Sequence, residues 1–288
     1  MSLDSEVQLR LRAPALACDA HFHVFGPAEQ YAYEANLRYK PPLAPLSDYL
    51  ELAKLMGFER FVFVQPSAYG RDNRCMLDAM AQVGTERCRG IVDVHEDVSD
   101  AELELLHGLG VRGIRINVSP VQAFAADLGQ SMLPRILKLD GRCAELGWHL
   151  DFLLPGWLTQ EMLPTFAKLK VNYSLAHMGM FLAQQGPEQV GFKALLDLLR
   201  HGNGHCWVKF TGTYRMATAP HYQDAAAMAQ ALIAAAPDRL IWGSDYPHLS
   251  FADQVGSAQL FNLLADWTPD PAVRHKILVD NPKNLFGF

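Results

Sequence analysis

Eight times along this 288-residue chain, a short run rich in apolar, β-branched and aromatic residues gives way to a stretch with helical spacing. Nothing else in the sequence narrows the fold as far. The runs fall at residues 16–24, 58–67, 88–94, 110–118, 147–154, 171–179, 205–212 and 239–248. Most are continuously apolar rather than alternating, as strands buried on both faces must be. The segments between them are long enough for the helical crossovers that join parallel strands. Eight such units predict a (β/α)8 barrel of the TIM type, and the length suits a fold of roughly 250 residues. A doubly wound open sheet would carry fewer units, and no GxGxxG follows the first run. With no linker, internal repeat or low-complexity tract, one domain over residues 1–288 is expected. Helix starts are expected at Ser47 or Asp48, at Asp72, and at Ser99, where Glu102 completes a capping pattern.

Composition closes off other classes. Hydrophobic residues make up 50% of the chain and charged residues 19%, enough apolar material for a large core and too little charge for disorder. The net charge of −6 comes with no basic stripe, which argues against nucleic acid as a partner. No apolar run approaches the roughly 18 residues of a membrane span, and the first residues lack the apolar centre of a signal peptide. Cys18, Cys75, Cys88, Cys143 and Cys206 are scattered and never spaced as CxxC. They read as reduced thiols of a cytoplasmic protein, not as a disulfide framework or zinc finger.

In such a barrel the chemistry sits at the carboxyl ends of the strands, so the residues that close each run are the functional inventory. His21 and His23, two apart, should project to one side of the first strand, with Asp19 sharing their parity. Gly26 and Pro27 then end it. The second run offers Gln65 and Ser67, the fourth Arg115 and Asn117, the sixth His177, the seventh Thr211 with Arg215 nearby, and the eighth Asp245 with His248 just beyond. A histidine or aspartate at one strand end is commonly structural; three histidines and an aspartate at strand ends point to a shared site. Arg115 lies on an apolar strand, where an unpaired guanidinium is costly to bury. It needs an internal carboxylate or an anionic ligand, and a forked guanidinium suits a carboxylate. His149 begins its strand and belongs at the opposite end of the barrel. Lys209 reads as a structurally paired residue. The long, aromatic, proline-rich segment 28–46, with Tyr31, Tyr33, Arg38 and Tyr39, is a candidate lid.

Two chemistries suit the quartet His21, His23, His177 and Asp245. Nitrogen ligands and one carboxylate can hold zinc with a position left for water. Without metal, the aspartate can take a proton from water while imidazole N–H groups polarise the attacked carbonyl. Asp245 is the base in either version.

The stretches DAHFHVFGP, VQPSAYGRDN, GVRGIRIN, AHMG, KFTG and IWGSDYPH follow one another over nearly the whole chain, which ends in LVDNPKNLFGF. Together they resemble the amidohydrolase superfamily, and within it the branch containing 2-pyrone-4,6-dicarboxylate lactonase. The resemblance implies a distorted (β/α)8 barrel that opens a carboxylated lactone during the breakdown of aromatic compounds. It implies that Asp245 activates water, that His21, His23 and His177 contact the lactone carboxyl group, and that Arg115 and Arg215 hold substrate carboxylates. Ser67, Asn117 and His248 are the further substrate-binding candidates. No metal is required in that branch, although close relatives bind one zinc ion with the same quartet; a binuclear centre is not expected. Two of the branch's arginines have no counterpart, Val121 and Met180 standing in their places, and the fifth strand ends in apolar Phe152–Pro155 where the branch has a tyrosine. The expected substrate is therefore a lactone with one carboxylate or a rearranged pair. A zinc-dependent decarboxylase of the same superfamily is the alternative enzyme, and a non-catalytic small-acid-binding protein the alternative outside catalysis.

Overall fold

The apolar runs become eight strands: β1 Cys18–Phe22, β2 Arg60–Val64, β3 Cys88–Val92, β4 Val111–Asn117, β5 His149–Leu153, β6 Tyr173–Leu175, β7 Cys206–Phe210 and β8 Leu240–Trp242. The computed structural model describes residues 7–37, 39–118 and 125–288; Arg38 and Val121 lie outside them. The strands hydrogen-bond in chain order, each parallel to the next. Between them run helices α1 Leu46–Met56, α2 Arg74–Val83, α3 Asp100–Gly108, α4 Leu128–Leu146, α5 Gly156–Phe166, α6 Val190–His201 and α7 Ala226–Ala235, with α8 Ser257–Trp267 after β8. This is the expected (β/α)8 barrel. No helix among the described residues is long and apolar enough to cross a membrane.

Helix starts divide according to local chemistry. Ser99 Oγ accepts from the Glu102 N–H at 3.2 Å, as expected for α3. The start of α1 is different: Pro45 precedes it without a side-chain cap, and Ser47 donates its hydroxyl to Asp48. Asp72 lies just outside α2, where it accepts from the Arg74 N–H and guanidinium.

Apolar residues from five successive strands around the ring form one inner cluster. Cys18 and Ala20 pack with Val62, Val64, Ile91, Trp207 and Ile241, and Leu285 and Phe286 join the same cluster. The chain's last helical segment, Asn281–Phe286, thus plugs the amino end of the barrel, held there by Arg89, which donates to the Phe286 carbonyl. A second, larger apolar layer fills the space between strands and helices. With one end plugged, the carboxyl ends form the mouth.

The ring closes beyond the end of β8. The Asp245 N–H donates to the His21 carbonyl at 2.8 Å, and the His23 N–H to the Tyr246 carbonyl at 2.8 Å. The approach is close enough to require glycine at position 243, where a Cβ would sit 2.6 Å from the His21 nitrogen.

Sequence parity fails at one point in β1. Asp19 pairs with Phe61 but Phe22 with Phe63, so β1 carries one extra residue there. That bulge lets Ala20 and His21 both approach the lumen and turns Asp19 away from the histidines. Asp19 instead clasps the seam, accepting from the Ser244 N–H at 3.0 Å and from the Tyr49 hydroxyl of α1 at 2.9 Å. Burial pushes its carboxyl up to about 6.

Candidate active site

The quartet assembles. His21 Nε2 and His23 Nε2 each lie 3.5 Å from Asp245 Oδ1, and His177 Nε2 lies 3.8 Å from Asp245 Oδ2. All four side chains are buried. Two of them project from strained backbone: Asp245 and His177 have φ of 56° and 53°, a left-handed conformation that costs a non-glycine residue on the order of 1–3 kcal/mol. At His177 this turn ends β6 after three residues, shorter than the predicted run through 179, and swings the ring toward the barrel axis. Gly212 makes room for it, since a Cβ there would lie 2.3 Å from His177 Nδ1.

Each ring is fixed from behind. His23 Nδ1 faces the Val64 carbonyl at 2.7 Å, so it carries the proton and Nε2 presents a lone pair toward Asp245. His177 Nδ1 is held by the Thr211 hydroxyl at 2.8 Å. His21 Nδ1 lies 3.3 Å from Lys209 Nζ, and its buried Nε2 has no hydrogen-bond partner among the described residues. Burial pushes His21 well down, lowers His23, and brings His177 down to about 3, so all three imidazoles are neutral near pH 7.

Asp245 is anionic. Burial alone would raise its carboxyl, but its surroundings, the Arg215 guanidinium among them, hold it well below the usual carboxylate range. Oδ2 accepts from the Tyr214 hydroxyl at 2.6 Å and from Arg215 Nε at 3.3 Å. Oδ1 is left facing the histidines.

These groups open on a cavity of about 330 Å³ whose wall includes His23, His177, Asp245, Arg115, Arg215, Asn117, Ser67 and Tyr39. Two guanidiniums against one carboxylate give it a positive balance. Arg115 Nη1 donates to the Gln65 carbonyl at 3.2 Å, while Nε is buried with no partner among the described residues. It forms no ion pair there, so a cation held inside the barrel faces the cavity. Asn117 Oδ1 is likewise buried and unpartnered. Tyr39, from the candidate lid, lies 3.3 Å from the exposed Ser67 hydroxyl.

His248 is not part of this wall. It sits beside Ser257 of α8 at 3.1 Å and packs edge-on against Tyr214. Tyr214 itself escaped the sequence reading, although it stands beside Arg215; nothing in a tyrosine after a strand reveals that its hydroxyl turns inward. Lys209 is paired as expected, with Asp151 at 2.6 Å, but it also reaches His21. His149 bonds the Arg112 carbonyl and packs near Phe286, at the plugged end.

One potential ligand atom from each of His21, His23 and Asp245 lies within 4.8 Å of the others, a spacing that could hold a divalent ion if both histidines presented a bare nitrogen. A cluster of histidines and one aspartate at the mouth of an eight-stranded parallel barrel defines a class, and the chain belongs to it: the amidohydrolase family profile matches residues 18–288. Within that family the chain is 37% identical to the 4-sulfomuconolactone hydrolase of Rhizobium radiobacter, with 95% of this chain and 91% of that protein covered. It is 31% identical to the 2-pyrone-4,6-dicarboxylate hydrolase of Comamonas testosteroni, covering 96% and 92%. A crystal structure of a putative 2-pyrone-4,6-dicarboxylic acid hydrolase from Pseudomonas putida superposes with a TM-score of 0.83 at 33% identity, covering 95% of this chain and 98% of that one.

Proposed function

We propose that the protein is a lactone hydrolase that opens a carboxylated lactone to an open-chain acid in the breakdown of aromatic compounds, a reading supported by relatives named as hydrolases of 4-sulfomuconolactone and 2-pyrone-4,6-dicarboxylate. One observation carries the reading. Asp245 is an ionised, buried carboxylate with one oxygen occupied by Tyr214 and Arg215 and the other facing two imidazoles across 3.5 Å.

A water between Asp245 Oδ1 and His23 Nε2 has an acceptor for each of its hydrogens. Asp245 takes a proton as the water oxygen attacks the lactone carbonyl carbon. The developing oxyanion draws on N–H donors at His21 and His177. The ring C–O bond then breaks, and the proton held by Asp245 passes to the leaving oxygen. Arg115, buried and in no ion pair among the described residues, binds the substrate carboxylate and sets the ring's orientation. Were His21 Nε2 bare, a divalent ion held by His21, His23 and Asp245 would add Lewis-acid polarisation of the carbonyl.

A neighbouring cavity of about 600 Å³ shares Arg215 and Phe251 with the first and is lined by Pro155, Trp157, Met180 and Leu182. Among the described residues, Arg115 is the one cation on the cavity wall that is buried and outside any ion pair, which favours a lactone bearing a single carboxylate. The test is a screen of mono- and dicarboxylated lactones with purified protein, read by proton release. Hydrolysis of a monocarboxylated lactone that disappears in Asp245→Asn is the expected result. No proton release from any lactone of either class would overturn the reading.

A further inference from the structure

His21 and His23 stand two residues apart on one strand end, yet their surroundings demand opposite tautomers. The carbonyl behind His23 can only accept, so His23 is protonated at Nδ1. Behind His21 is an ammonium, which has three hydrogens and no lone pair. Lys209 Nζ is fully buried and meets three acceptors: Asp151 Oδ1 at 2.6 Å, His21 Nδ1 at 3.3 Å and the Ala20 carbonyl at 3.5 Å. Asp151 is equally buried and takes a second hydrogen bond from the Ser174 hydroxyl at 2.6 Å, which fixes the carboxylate that anchors the ammonium. A neutral His21 next to that ammonium must leave Nδ1 bare and carry its proton on Nε2.

The consequence reaches the site's chemistry. A divalent cation needs a bare nitrogen from each histidine. His23 Nε2 supplies one; His21 Nε2, bearing its proton, is a donor. We propose that Lys209, anchored by Asp151, is a positioning residue that fixes His21 as an Nε2–H donor toward the carbonyl oxygen and withholds it from a divalent cation. Lys209 touches neither substrate nor reacting atoms. Its effect passes through His21 alone, and it holds whichever lactone the enzyme takes.

Two measurements test this without substrate. Long-range proton–nitrogen correlation spectra of the unaltered protein, labelled at histidine and assigned with His21→Gln, should show His21 protonated at Nε2 and His23 at Nδ1. A His21 protonated at Nδ1 would overturn the proposal outright. Equilibrium dialysis against zinc then compares the unaltered protein with Lys209→Met/Asp151→Leu, which removes both charges together. The double variant should bind zinc at least about tenfold more tightly, the size of effect that groups behind a ligand exert. Equal zinc affinity in a folded double variant would count against the proposal. Should the variant fail to fold, the spectrum of the unaltered protein decides.

Discussion

Two buried carboxylates sit inside this barrel and do opposite things. Asp151, halfway down, is tied to Lys209 and Ser174 at 2.6 Å each. Burial would raise it, but Lys209 and Arg115 bring it down to about 2. Asp245, at the mouth, is as thoroughly buried, yet its nearest cation is Arg215 at 3.3 Å and one oxygen faces only imidazole edges at 3.5 Å. The lower carboxylate has a buried counter-ion bound directly to it and contributes to shape. The upper one keeps an oxygen open to an incoming proton. Burial and a depressed pKa do not distinguish them; the open oxygen does.

The sharpest way to break this contrast is to neutralise each in turn. Asp245→Asn should lower kcat/KM on a carboxylated lactone by about 10³-fold, the scale of a lost general base, while the melting temperature stays close to that of the unaltered protein. Asp151→Asn should act chiefly on stability, costing about 3–5 kcal/mol because Lys209 is left buried without its partner, a loss read in urea melts, with a smaller fall in kcat/KM as Lys209 loses the anchor that positions His21. If the two variants exchange phenotypes, the assignment of roles is wrong. Arg115→Met should raise KM for a carboxylated lactone about 30-fold, equivalent to the roughly 2 kcal/mol of a charge-assisted pair, with a smaller change in kcat.

Acid should separate the ion pair from its apolar replacement. Asp151 has a folded-state pKa near 2, below its unfolded value, so its stabilisation is present above the ordinary carboxylate range near pH 4 and is lost as pH falls toward 2. The gap in unfolding free energy between the unaltered protein and Lys209→Met/Asp151→Leu should therefore be constant from pH 7 to about 5 and shift by about 2 kcal/mol against the ion pair below that. A gap that moves between pH 7 and 5 would mean that other groups dominate. The smallest effect is reserved for Tyr214→Phe. Losing one bond to the ionised carboxylate should cost about tenfold in kcat and move the acid limb of the kcat/KM profile upward, because the charged form of Asp245 loses a donor. An unshifted limb would remove Tyr214 from the site's electrostatics.

The architecture was legible because eight apolar runs and their crossovers are a property of spacing, and spacing is local. The convergence of His21, His23, His177 and Asp245 was legible once the barrel was granted, since all lie at strand ends. The failures have local causes as well. Strict alternation along β1 put Asp19 with the histidines; one extra residue, invisible without the partner strand, sends it to the seam. His248 follows the same motif as Asp245, but a left-handed turn at φ 59° carries it toward α8. Tyr214 and the reach of Lys209 to His21 depend on side-chain direction across the lumen, which no one-dimensional pattern encodes.

The closure of the ring has a kinetic meaning. The backbone bond from Asp245 to His21 joins the first strand to the segment following the last, so the two halves of the catalytic pair meet only when the circle is complete. A chain folded through seven strands would lack Ile241 and the Leu285–Phe286 plug from its interior and would have no base beside its histidines. Turnover regained during refolding should therefore report the final zipping of the barrel and lag behind the gain of secondary structure.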